Sequence, residues 1–393
     1  MGERVDEAVI VSGARTAVAR ENGALRDLAP HQFGAHVVKA ALARAGVDGR
    51  EVDEVLFGNV MAGGGNIARL TALEAGLPFE VPAMTVDRQC GSGLQAICTA
   101  AQGIRLGEWR IVIAGGTESM TRAPYLLERP AAPYSRVPPR FVRPQLSPEW
   151  IGDPPMGITA ENVAERYGIS REDQDAFALR SQQNAARALA DGRFAGQIVP
   201  IDVPAGKGET RRFEVDEHPR PDTTMEKLSR LPPAFKPGGT VTAGNSSGIN
   251  DGAAAVIVMS SREAERRGLR PLGRLVGWAV AGVDPNIMGM GPVPAVRKVL
   301  ERTGLGLDDL DVIELNEAFA AQAVACIREL GLDMERVNPN GGAIALGHPV
   351  GATGAILTLK ALYELRRSGG RYGLVTACIG GGQGIAAIFE RID

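Results

Sequence analysis

The stretch AMTVDRQCGSGLQAICTAAQGIRLGEWRIVIAGGTES, residues 83–119, reads as an apolar strand, a glycine-flanked turn, a long helix of small residues, a second apolar strand and a further glycine cluster. Leu94, Ile97, Cys98 and Ala101 recur in it at i, i+3, i+4 and i+7, the spacing of one helix face. The same plan returns in NPNGGAIALGHPVGATGAILTLKALYELRRSGGRYGLVTACIGGGQG, residues 338–384. Laid over each other, the two stretches put Cys90 opposite His348, an offset of 348 − 90 = 258 residues. That offset also sets VDEVLFG, from Val52, against LDVIELN, from Leu310. A repeated unit of this length predicts two similar α/β domains rather than a short-period solenoid. If the domains pack about a pseudo-twofold axis, their equivalent turns can meet.

The repeat is interrupted between residues 121 and 240. From Ala123 to Pro155 there are nine prolines together with Tyr125, Tyr134, Phe141 and Trp150, a composition that forbids long helices and central strands. Helical patterns follow from Thr159 and from Ser170, where SRED resembles a capping box. The expected division is therefore residues 1–120 plus 241–270 as one domain, 121–240 as an inserted loop domain, and 271–393 as the other. The insert carries 17 basic and 16 acidic residues, so any anion site in it must be local.

A chain of 393 residues exceeds what one hydrophobic core supports. Its formal charge of -3, with basic and acidic residues intermixed, gives no nucleic-acid footprint. The start, MGERVDEAVIVSGA, has neither a long apolar run nor a basic patch with a cleavage site, so neither a signal peptide nor a membrane anchor is expected. Arg391, Ile392 and Asp393 are no peroxisomal address. Cys90, Cys98, Cys326 and Cys378 lie far apart, with no CxxC spacing and no histidine at metal-ligand distance. These features predict a reduced, cytoplasmic setting and no metal. There an isolated cysteine is either buried filler or a nucleophile.

Cys90 follows the strand-like AMTVDR and opens a helix, where the helix dipole and unpaired amides are expected to lower its pKa. Gly91 and Gly93 permit close approach by a ligand or another backbone. His348 stands between Gly347 and Pro349 at a strand-to-helix corner, with the helix starting near Gly351. Cys378 ends the run GLVTACI before the glycines of IGGGQG, which could let a substrate approach and offer amide donors to an oxyanion. Asn316, in LDVIELNEAFAAQ, is either a helix N-cap or a group that polarises a carbonyl, directly or through water. Cys98 and Cys326 lie inside helical patterns and are assigned to the core.

Taken together, VDRQCGSGLQA, AGGTESMTRAPY, GTVTAGNSSGINDGAA, NEAFAAQ, NPNGGAIALGHPVGATG and CIGGGQG resemble the thiolase family, in its order and spacing, over nearly the whole chain. The resemblance implies duplicated βαβαβαββ domains packed as α/β/α/β/α layers with an inserted loop domain. It implies reversible thiolytic cleavage of a 3-ketoacyl-CoA, or condensation of two acetyl-CoA, in fatty acid metabolism. Cys90 would be the acylated nucleophile, His348 its activator, and Cys378 the acid and base at carbon. One oxyanion hole would use His348 with an Asn316-bound water, the other the amides of Cys90 and Gly380. Coenzyme A and acetyl-CoA would be substrates, with no permanently bound cofactor. The insert would bind coenzyme A, with Arg220 and Thr224 near the adenine, Ser247 near the pantetheine, and Ala243, Phe235, Met156, Ala318 and Phe319 along the channel. Met288 matches a pocket position of short-chain members, and a homodimer or homotetramer is expected. Two positions depart from the short-chain pattern: Pro155 stands where a histidine is usual, and Lys227 where a serine often meets the nucleotide. MGMGPVPA and VIELNEAFAAQ also resemble the β-ketoadipyl-CoA branch.

Two other readings compete. GNSSG, residues 244–248, fits GxSxG, and Ser246, Asp311 and His348 follow in α/β-hydrolase order. An elbow should lead straight into a helix, however, whereas INDG reads as a turn before the strand-like AAAVIVMS. The third reading is a thioester-binding scaffold that has lost activity, against which every matched catalytic position still holds a competent residue type.

Overall fold

The computed structural model describes residues 6–392 except 63, 131, 133, 135 and 207. The extreme ends of the chain, residues 1–5 and Asp393, lie outside the described residues. In the first half, β1 (Ala8–Arg15), β2 (Glu54–Gly58), β3 (Ala83–Val86), β4 (Ile111–Ser119) and β5 (Asn250–Ser260) form a sheet in the order β3-β2-β4-β5-β1. β2 runs parallel to β3 and β4, while β5 is antiparallel to β4 and β1. The second half repeats these pairings with β6 (Gly273–Gly282), β7 (Leu310–Leu315), β8 (Tyr372–Ile379) and β9 (Gln383–Glu390). The place of β3 is taken there by Val337, a single parallel bridge to Ile313. β1 and β6 pair antiparallel only through Val9–Arg274 and Ile10–Gly273, which joins the two sheets edge to edge. The 258-residue offset thus corresponds to a structural duplication.

Helices fill three layers. Between the sheets lie α3 (Ser92–Arg105) and α8 (Thr353–Ser368), whose Leu94, Ile97, Leu359 and Leu362 share one core with Leu56, Val112, Val375 and Ile385. The outer face of the first sheet is covered by α1 (Pro30–Ala45) and α2 (Ile67–Glu74), that of the second by α6 (Pro292–Thr303) and α7 (Ala320–Leu330). Along β9, Ile385, Ala387 and Phe389 face the middle layer while Ala386 and Ile388 face the outer one, the two-residue alternation of a strand. Because both faces are buried, the strands read as unbroken apolar runs. α3 and α8 touch backbone to backbone: a Cβ on Gly354 would lie 2.2 Å from Leu94 N, and one on Gly93 2.9 Å from Gly351 O. That crossing is what brings the turn before α3 and the turn before α8 together. Gly91 and Gly93 thus allow close approach by other parts of the chain, Ile379 and Gly351.

The insert supplies α4 (Met156–Tyr167) and α5 (Arg171–Ala190), and α5 begins at Ser170, whose Oγ accepts from Asp173 N at 3.0 Å. α4 begins three residues before the expected Thr159, with Pro155 as its N-cap. Arg15 of β1 holds the insert through a buried fork to Asp216, at 2.8 and 2.9 Å. Among the described residues no helix is long and apolar enough to cross a membrane.

A second buried ion pair ties α8 to β7: Lys360 Nζ lies 2.7 Å from Glu314 Oε2 and 2.6 Å from the Gly341 carbonyl. Burial pushes the Glu314 carboxyl up to about 7, against the pull of Lys360. Removing one partner of such a pair costs about 3–5 kcal/mol. Lys360→Met is therefore expected to lower stability by that order at pH 8 in urea unfolding. The deficit should shrink at pH 5, where the stranded carboxyl is protonated, and an equal deficit at both pH values would contradict the account.

Candidate active site

Four turns converge where the middle layer meets the strand ends. After β3, residues 87–91 fold on themselves: Arg88 N donates to Ser92 Oγ at 2.9 Å, Ser92 Oγ donates to the Gln89 carbonyl at 2.6 Å, and Gln89 takes φ 46. This sets Cys90 just ahead of Gly91, the N-cap of α3, with its side chain half-buried. A Cβ on Gly91 would lie 2.8 Å from Ile379 Cδ1, so the turn rests on the end of β8. The expected lowering of the Cys90 pKa is not what results. Burial pushes the thiol up to about 11, the charges of Glu118 and Asp87 add to this, and hydrogen bonds from the Gly380 and Cys90 amides only partly oppose it. Cys90 is thus a protonated thiol at neutral pH and needs a base.

His348 is buried on the opposite corner. Its backbone N–H donates to Asn250 Oδ1 at 2.9 Å, Nδ1 lies 2.7 Å from Thr353 Oγ1, and Nε2 lies 3.4 Å from Asn316 Nδ2. Burial alone lowers its pKa to about 4, so the ring is neutral at physiological pH. The helix after it begins at Thr353, two residues from the expected Gly351. The corner is held by Glu118, whose carboxylate accepts from Gly351 N, Val60 N, Met61 N and Asn59 Nδ2, all within 3.0 Å. Burial pushes Glu118 up to about 7 against the three backbone donors, with the charge of Asp87 adding to the rise.

Asn316 is not an N-cap: α7 starts four residues later with Phe319 in that position. Its Oδ1 is buried without a hydrogen-bond partner, while its Nδ2 is the atom near the imidazole. Cys378 ends β8, fully buried, and burial raises its pKa well above the usual thiol range, with Cys90 and Cys326 adding to the rise. The two sulfurs are therefore close enough to feel each other's charge. Of the following glycines, Gly381 and Gly382 adopt φ 84 and φ 83 and are demanded by the turn itself. Gly380 is left to present its amide to Cys90.

Of the residues matched to the channel, Met288, Ala318 and Phe319 form one apolar cluster with Cys378, Val241 and Ala160, and Met156 packs on it. Phe235 is half-exposed, its ring edge-on to Phe319 at 6.0 Å. Ser247 N–H donates to the Ala318 carbonyl at 3.0 Å, and Ala243 is exposed nearby. Arg220 and Thr224 lie on the exposed surface, either side of a turn that closes with Thr223 N donating to the Arg220 carbonyl. Lys227 is engaged with Asp222 at 2.5 Å.

The serine-hydrolase reading fails on geometry. Ser246 Oγ donates to the Thr242 carbonyl at 2.7 Å, Asp311 accepts from Arg371 N and Tyr372 N, and His348 Nδ1 is occupied by Thr353. No relay links the three, and Asn250, four residues past Ser246, starts a strand instead of a helix. Asn250, Glu118 and Thr353 escape a reading of the sequence. Glu118 carries a signal there, as a lone charge ending the apolar strand IVIAGGTES.

A model of the thiolase N-terminal domain matches residues 8–262, and one of the C-terminal domain matches residues 269–391. The beta-ketothiolase BktB of Cupriavidus necator is 54% identical, covering 98% of this chain and 99% of its own length. The beta-ketoadipyl-CoA thiolase of Pseudomonas aeruginosa is 51% identical, with coverage of 98% and 99%. Among solved structures, the acetyl-CoA acetyltransferase of Bacillus anthracis superposes with a TM-score of 0.93 at 44% identity, covering 99% of each chain. Human mitochondrial 3-ketoacyl-CoA thiolase gives 0.93 at 43% identity, covering 99% of this chain and 100% of its own. With the two domain models together matching residues 8–262 and 269–391, and about half the residues shared with such relatives, this chain belongs to the thiolase family.

Proposed function

We propose that this acyltransferase of the thiolase family works through an acyl-enzyme on Cys90. The thiol hydrogen of Cys90 passes to Nε2 of His348 as sulfur attacks the thioester or ketone carbonyl, whose π electrons move onto oxygen. Collapse of that oxyanion expels either coenzyme A thiolate or, in the degradative direction, the carbanion of acetyl-CoA, and Cys378 protonates the carbanion. In condensation Cys378 takes the same proton away. A sulfur nucleophile splits the reaction into two steps while keeping the intermediate as reactive as its substrate. What supports the reading is that the Gly380 amide bonds to the Cys90 sulfur, that Cys378 interacts with Cys90 by charge, that His348 and Asn316 lie 3.4 Å apart, and that the turns bearing Cys90 and His348 are brought together by the contact of Gly93 with Gly351.

The finer assignments are part of the proposal. Arg220, Thr224 and Ser247 would meet the nucleotide and pantetheine of coenzyme A, and the cluster around Met288 and Met156 the acyl chain. Tyr125, Leu127, Phe141 and Trp150 are exposed on a single chain, which supports self-association as a homodimer or homotetramer. Thiolysis of acetoacetyl-CoA by free coenzyme A, extended to a panel of 3-ketoacyl-CoA substrates, tests the whole reading, and absence of turnover across the panel would end it.

The pH dependence has a definite sign. Protonation of His348 removes the lone pair that accepts the thiol hydrogen. With its pKa near 4 only roughly 3% of the ring is protonated at pH 5.5, against about 90% for an ordinary histidine. Cys90, at about 11, stays a thiol throughout. Single-turnover acylation by acetyl-CoA is therefore expected to fall less than about twofold between pH 7.5 and 5.5. Because Glu118 sits near 7, a limb centred near 6.5 contradicts this only if it persists in Glu118→Gln.

A further inference from the structure

Thr353 opens α8, and its hydroxyl sits between two groups: Oγ1 lies 2.9 Å from the Pro349 carbonyl and 2.7 Å from Nδ1 of His348. A hydroxyl has one hydrogen to give, and a carbonyl oxygen can only accept. If that hydrogen went to Nδ1, the hydroxyl oxygen would face the Pro349 carbonyl, which also accepts from Ala352 N and Thr353 N, at 2.9 Å with no hydrogen between the two oxygens in a buried site. It goes to Pro349 instead, and Oγ1 must accept from Nδ1–H. The neutral imidazole then carries its hydrogen on Nδ1 and a lone pair on Nε2. The far side of the ring agrees, because Asn316 Nδ2, 3.4 Å from Nε2, can only donate.

We propose that Thr353 is a positioning residue that locks His348 in the Nδ1–H tautomer, so that the lone pair of Nε2 is the one that receives the hydrogen of the attacking thiol. Asn316 favours the same tautomer from the Nε2 side at 3.4 Å, but Thr353 is the ring's hydrogen-bond partner at Nδ1 among the described residues. The backbone bond from His348 N to Asn250 Oδ1 fixes the main chain and not the ring, and Pro349 has no N–H to offer. The proposal rests on the Cys90–His348 chemistry above and adds a property to it. In a Ser-His-Asp triad the group behind the imidazole is a carboxylate, which both orients the ring and stabilises the imidazolium. A hydroxyl orients without supplying a charge. The proton taken from Cys90 is accordingly held loosely and is ready to pass to the leaving group.

Thr353→Val keeps the shape and deletes the hydroxyl, whereas Thr353→Ser keeps the hydroxyl. The full-length protein labelled with 15N-histidine contains four histidines, and His348→Gln identifies the resonances of His348. At pH 7 the wild type should show hydrogen on Nδ1, Thr353→Ser the same, and Thr353→Val a population with hydrogen on Nε2. Acylation of Cys90 by acetyl-CoA should slow on the order of 10²-fold in Thr353→Val. It should stay within a few-fold in Thr353→Ser, with half-saturation by acetyl-CoA changed less than about twofold in both. Hydrogen on Nε2 in the wild type, or acylation of Thr353→Val at the wild-type rate, would overturn the assignment. If Thr353→Val fails to fold, the wild-type and Thr353→Ser spectra still decide the tautomer. A wild-type protein that never gains acetyl on Cys90 would sink the underlying chemistry, whereas the nitrogen spectrum would still decide the role of Thr353 independently.

Discussion

Cys90→Ala protein incubated with acetyl-CoA is expected to show no added acetyl mass, while the wild type gains one group per chain. The sulfur at this position is held at the mouth of α3, within reach of the Gly380 amide. No other thiol among the described residues shares that placement, since Cys98 and Cys326 are buried in helices and Cys378 is sealed at the end of β8. Losing the nucleophile removes the covalent route altogether, so turnover should fall by on the order of 10⁴-fold or more. Truncating one half-buried sulfur should leave stability within about 1 kcal/mol. Intact-mass spectrometry together with thermal unfolding checks both parts, and label that survives in this variant refutes the nucleophile.

Cys378→Ser should behave differently. Cys90, His348 and the Gly380 amide are untouched, so the variant is expected to acquire an acetyl group slowly. What it loses is proton transfer at carbon, because a buried serine hydroxyl is a far weaker acid than a thiol. General acid–base catalysis contributes about 10² to 10⁴ in rate, and steady-state thiolysis of acetoacetyl-CoA should drop by that order. Acylation and turnover measured side by side make the test. Turnover near the wild-type rate would remove Cys378 from the chemistry, and failure to acylate at all would give it a role in the first step.

Much of this arrangement is legible in the sequence. The offset of 258 residues between Cys90 and His348 is a property of the polymer, and β2 and β7 keep it, whereas β9 starts only 383 − 250 = 133 residues after β5 because the insert lies ahead of β5. The alternation of apolar strands with small-residue helices points to the α/β class for the same reason, since each period reports which face is buried. What periodicity cannot reach is the ionisation of Cys90. A helix start argues for a lowered pKa, but the cost of burying a thiolate between two sheets depends on residues hundreds of positions away, and here burial dominates. Asn316 misleads for a related reason: a polar residue after a strand resembles a cap until the chain is seen to run four residues further before turning helical. Thr353 and Glu118 stay hidden because their partners, an imidazole nitrogen and the Gly351 amide, belong to a corner formed only by long-range docking.

The two sheets meet through just two residue pairs, and the middle layer takes one helix from each half. Neither repeat therefore owns a reactive centre. An unassembled half would bare a wall of leucine and isoleucine and a thiol with no base beside it, so the chain becomes chemically competent only once both copies have found each other. On the chemistry proposed above the two copies would divide the labour, one keeping the sulfur that bonds to the acyl group and the other handling the traffic of protons.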